Sequence, residues 1–258
     1  MGIDLTPSLR TLSLERSQIR ASRWGFALVI ISLLLQIASL LMLFGIVGVG
    51  EQAEGDQIVR RDSLVFLLVL TELPRAAAMF LAGGIHGFIG RSPRWKWSGW
   101  ALAATVTGEI LADLVGLFLM GDSYVAKEGM PIGLRFGIGV EQILRTLEDW
   151  WVAVLLGEFA IACRDTILLG QSERLGYAVL AALLAVMSMV GWTIPLIPNV
   201  EDPFAEFLAV ATMATGLLVL VWMVQGVFRA LAVGRLLLAH LDQATTRTPA
   251  GEDDSESL

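Results

Sequence analysis

The stretch WGFALVIISLLLQIASLLMLFGIVGV, from Trp24 to Val49, runs for 26 residues without a charged side chain. A helix rises about 1.5 Å per residue, so this run is long enough to cross the roughly 30 Å of hydrocarbon in a bilayer. It is also too long for the roughly 7–15-residue apolar core of a secretory signal, and no small-residue cleavage site follows it. It reads as a membrane-spanning helix kept in the mature protein.

The rest of the chain repeats the pattern. Of 258 residues 55% are hydrophobic, mean hydropathy is +0.70, and only 17% are charged, against roughly 25% in an ordinary soluble domain. Beyond residues 24–49, spans are expected at about 63–90, 99–120, 139–163, 175–194 and 204–228, separated by polar or turn-rich stretches at 51–62, 91–97 and 121–132. The expected fold is all-α, a polytopic integral membrane protein with a bundle of about six transmembrane helices. Residues 1–23 form a cytoplasmic N-terminal segment, 24–243 the bundle and its helical extension, and 244–258 an acidic, disordered tail.

The fourth span is the irregular one. Only Trp150–Ala162 is continuously apolar, Glu158 apart, so 133–149 is expected as an amphipathic helix at the membrane interface, with Trp150 and Trp151 as its anchors. A single long helix carrying its charges into the bundle is the alternative. Lysine and arginine set the orientation. Twelve of the eighteen basic residues fall before the first span, between the second and third, between the fourth and fifth, and after the sixth. That bias predicts N-in/C-in topology in the cell (inner or plasma) membrane.

Ionisable groups within spans are costly and rarely face lipid. Glu72 and Arg75 lie three apart on the second span, and Glu109 and Asp113 four apart on the third, so each pair shares a helix face. At about 1.5 Å per residue, Arg75 lies about 18 Å from one boundary and Glu109 about 15 Å from the other. They are expected to meet near the midplane. Glu158, flanked by Leu155, Leu156, Phe159 and Ala160, must face protein. Glu141, Arg145 and Asp149 are spaced by four and, with Glu148, read first as the solvated stripe of an interfacial helix. A charged vestibule is the functional reading of the same stripe. His86, between Gly83 and Gly87, is a secondary candidate that reads first as a hydrogen-bonded packing residue. Pro74 is expected to kink the second span beside Glu72 and Arg75.

Several functions are disfavoured by what the chain lacks. One cysteine, Cys163, and two histidines, His86 and His240, supply no multi-thiolate or His-rich metal centre. No cofactor is expected, and no catalytic motif appears, so an enzyme is not expected either. A net charge of −7 offers no basic footprint for nucleic acid. Two functions fit. The first is a small transporter or channel for protons, cations or a small solute, lined by Glu72, Arg75, Glu109, Asp113 and Glu158. The second is a non-catalytic subunit or scaffold of a larger membrane complex, held together by the same charges. Besides the lipid bilayer, the expected partners are copies of the chain or other membrane subunits.

Overall fold

The computed structural model describes residues 16–49, 51–53, 56–89, 93–125, 132–193 and 203–246. Among the described residues seven α-helices run in chain order: α1 (Arg16–Val49), α2 (Arg61–Leu67), α3 (Leu73–Ile89), α4 (Pro93–Leu119), α5 (Ile132–Cys163), α6 (Thr166–Thr193) and α7 (Pro203–Thr246). A π-helical segment, Leu68–Glu72, joins α2 to α3 without a break. Five of these stretches are long and apolar enough to cross a membrane: α1, the α2–π–α3 rod, α4, α6 and α7. The 32-residue α5 has the length, but its six charged residues set it apart.

Helix packing closes a ring. α1 lies against α3 and α7, α3 against α4, α4 against α5, α5 against α6, and α6 against α7; α5 also reaches α7. Small residues allow the closest approaches, since a glycine without Cβ lets backbones touch. A Cβ on Gly83 of α3 would lie 2.6 Å from the Gly99 carbonyl oxygen of α4. A Cβ on Gly137 of α5 would lie 3.5 Å from Gly116 Cα of α4. Large apolar side chains such as Phe44, Phe118, Leu184 and Met213 point outward, which is the reverse of a soluble protein and suits lipid.

The charged stretch at 133–149 is not a separate interfacial helix. It is the first half of one continuous α5. The physical reason is phase: Glu141, Arg145 and Glu148 continue, at spacings of four and three, into the buried Val152, Leu155 and Phe159. One face of one helix therefore carries both, and lying on the interface would expose half of that seam to lipid.

The loops at 51–62 and 121–132, expected to be irregular, contribute a small antiparallel sheet in the order β1 (Glu51–Ala53), β2 (Asp56–Arg60), β3 (Ser123–Val125). β-Branched Ile58 and Val59 suit a pleated strand and pair with Val125 and Tyr124. This sheet ties the turn after α1 to the turn after α4 at one end of the bundle. At the other end Arg16 forms an exposed ion pair with Asp242, so the start of α1 and the end of α7 share a side. α1 begins earlier than Trp24 because Ile19 and Ala21 are buried. The residue 1–15 part of the N-terminal segment, residues 194–202 and tail residues 247–258 lie outside the described residues.

Candidate functional site

Three helices carry their charges on the buried seam. On the α2–π–α3 rod, Leu68, Glu72, Arg75, Met79 and Ala82 follow one another at four and three and are all buried. On α4 the same spacing runs through Leu102, Val106, Glu109, Asp113, Gly116 and Met120. On α5 it includes Glu141, Arg145 and Glu148. Where three such seams face one another, the charges meet.

Pro74 has no N–H to donate, and the chain accommodates it through the π-turn just before it. There the Leu73 N–H bonds to the Leu68 carbonyl, five residues back, and the Thr71 hydroxyl caps the Leu67 carbonyl at 2.8 Å. The widened turn absorbs the proline and leaves Glu72 and Arg75 on the seam.

Arg75 then donates to three carboxylates at once: Nε to Glu72 Oε2 at 2.9 Å, Nη1 to Glu148 Oε2 at 3.1 Å, and Nη2 to Glu109 Oε1. Arg145 makes a second fork, with Nε to Glu109 Oε1 at 2.7 Å and Nη2 to Glu72 Oε2 at 2.6 Å and Glu141 Oε1 at 2.9 Å. Glu72 and Glu109 thus bridge both guanidiniums, and Ser39 of α1 donates to Glu72 Oε1. Asp113 lies within hydrogen-bonding reach of Glu141. One oxygen from each of Glu109, Asp113 and Glu141 falls within 4.8 Å of the other two. Six carboxyl groups (Glu72, Glu109, Asp113, Glu141, Glu148, Asp149) surround two arginines, leaving four negative charges unmatched if all are ionised.

The cluster forms the floor of a cavity of about 250 Å³. Glu72, Asp113, Glu141 and Arg145 line its deep end, and Leu64 and Leu134 line the end nearer the sheet. On the far side of Arg75 and Arg145 a void of about 10 Å³ touches Ser32, Gln36, Glu148 and Asp149. Its size is close to that of one water.

Among the expected site residues, Glu72, Arg75, Glu109 and Asp113 come together, and Glu141, Arg145 and Asp149 join them. Glu158 does not. It is buried ten residues further along α5, where Ser98 Oγ donates to it at 2.8 Å. His86 falls within α3, but its side chain lies outside the described residues. The sequence reading missed Ser39, a hydroxyl in an otherwise plain apolar helix. It also missed the central place of Glu148, whose spacing from Glu141, Arg145 and Val152 carried the signal. A further ion pair, Arg229 to Asp165 at 2.9 Å, closes the end opposite the sheet. There Asp165 also caps α6 by accepting from the Leu168 N–H at 2.8 Å.

Comparison with known protein families, curated proteins and solved structures finds no match to this chain. Function must therefore be argued from the site.

Proposed function

We propose that the chain is a small transporter or channel with six membrane crossings, moving protons, cations or a small solute through the carboxylate-floored cavity. The sixth crossing is α5. It follows α4, itself long and apolar enough to span, from the Gly137–Gly116 contact, past Leu144 beside Gly108, to the Ser98–Glu158 hydrogen bond. From residue 137 to residue 158 a helix rises about 32 Å, which matches the hydrocarbon thickness of roughly 30 Å. Six crossings place both chain ends on one side, in keeping with the Arg16–Asp242 pair. The basic-residue bias makes that side the cytoplasm, so the cavity faces outward.

One observation carries the transport reading: an open cavity ends on more buried carboxyl groups than its arginines neutralise. A purely structural lock has no use for surplus charge at that depth, where each unpaired ion costs several kcal/mol. A pathway does, because carboxyl groups that gain and lose a cation or proton need to be reached from water. The alternative, a non-transporting subunit of a larger membrane assembly, draws support from the two arginine forks, which fasten α3, α4 and α5 together.

Reconstitution into liposomes under an imposed ion gradient and potential tests the choice, with internal pH and tracer cation as readouts. Transport predicts flux that Glu109→Gln abolishes while the variant stays folded. A lock predicts no flux in the wild type and a lowered melting temperature in the variant.

A further inference from the structure

The Arg75 fork does more than pair charges. Its Nη1 holds Glu148 Oε2 and its Nη2 holds Glu109 Oε1, so one planar guanidinium sets two carboxyl groups side by side. Among the described residues, the remaining oxygens, Glu109 Oε2 and Glu148 Oε1, find no hydrogen-bond donor, and both are buried. The two residues are 0% and 2% exposed, and their side chains lie within hydrogen-bonding reach of each other. Two ionised carboxylates so placed would repel, and nothing among the described residues satisfies their remaining oxygens.

We propose that Glu109 and Glu148 share one proton between these two oxygens, and that this proton is the ion the protein carries. A single O–H⋯O bond satisfies both orphaned atoms at once, as in other pairs of carboxyl groups forced together. A metal ion fits less well. Divalent cations favour about six or more oxygen ligands, whereas here two oxygens are free and a guanidinium sits against the other two.

The surroundings supply a route on each side. Toward the cavity, the next carboxyl pair is Asp113 and Glu141, themselves within hydrogen-bonding reach. Away from it, the void beside Ser32, Gln36 and Asp149 has room for about one water. A proton entering from the cavity passes along Asp113 and Glu141 to Glu109 and then to Glu148. At each step one O–H bond breaks as the next forms, so the proton count of the cluster is unchanged once a proton leaves on the far side. The charged groups facing the pair are Glu72 and Arg75 from the α2–π–α3 rod, Asp113 from α4, and Glu141, Arg145 and Asp149 from α5. α1 contributes the neutral Ser32, Gln36 and Ser39. Naming the proton as the carried ion rests on the transport reading; its residence between the two glutamates does not.

Infrared spectroscopy of the lipid-reconstituted protein at neutral pH, in H₂O and D₂O, tests the residence directly. A protonated-carboxyl C=O band that shifts on deuteration is expected. It should persist when Asp113→Asn and Glu141→Gln remove the other pair, and vanish when Glu109→Gln or Glu148→Gln is added. Absence of any such band in the wild type, or its loss in the Asp113/Glu141 variant alone, overturns the shared proton. Proton flux in liposomes tests the second half separately. A band without proton flux overturns the carried-ion assignment while upholding the shared proton; the transport reading falls with it if the tracer cation does not move either.

Discussion

The two halves of α5 make different uses of one helical spacing. Toward α3 and α4, the seam positions hold Glu141, Arg145 and Glu148, facing Glu72, Arg75 and Glu109 beneath a cavity. Further along, toward α1, α6 and α7, they hold Val152, Leu155, Leu156 and Phe159, packed on Phe26, Leu168, Leu175 and Met223. There Phe159 meets Phe26 edge to face, with ring centroids 5.4 Å apart. An apolar seam in lipid is held by close packing alone, because lipid is as apolar as the core. Where charges replace it, each must find partners, and the backbone adapts to let them. The π-turn before Pro74 falls beside the charged cluster; α6 and α7 are unbroken α-helices.

The contrast predicts graded losses. Arg75→Ala removes the donor shared by Glu72, Glu109 and Glu148 and leaves buried charge unpaired, so about 3–5 kcal/mol of stability should go. Thermal unfolding in mild detergent would record it, together with low membrane yield; an unchanged melting temperature would mean the charged seam is not what binds α3, α4 and α5. Leu156→Ala on the apolar side should cost about 2 kcal/mol, toward the low end for a buried leucine, because only packing is lost when lipid is the reference. The smallest effect is expected at Gly108→Ala. Its Cβ would lie 3.4 Å from Leu144 Cδ1, the end of a flexible side chain that can give, while alanine gains about 1 kcal/mol of helix propensity over glycine. A melting temperature unchanged or slightly raised would fit; a clear loss would show that α4 and α5 have no room to spare.

Much of this architecture was legible from residues 24–49 outward, because long apolar runs leave few alternatives. The meeting of Arg75 with Glu109 was legible too, since equal depth and shared faces can be counted. The fate of 133–149 was misread from local composition: charges and a Trp pair resemble an interfacial helix when viewed alone. The spacing from Glu141 through Phe159 held the correct answer, but only phase along the whole of α5 reveals it. Ser39 carried no such signal, as a serine in an apolar helix usually bonds to its own backbone. The small sheet was hidden for another reason: two loops far apart in sequence complete it, and neither is strongly β-patterned by itself.

The central claim, that the charged seam is a pathway and the apolar seam its support, is tested most directly by one flux measurement made side by side. Wild-type, Leu156→Ala and Glu109→Gln proteins, each reconstituted at a temperature where it is folded, would be compared for ion flux into liposomes. The account predicts flux in the first two and none in Glu109→Gln. Equal flux in all three, or none in the wild type, would contradict it.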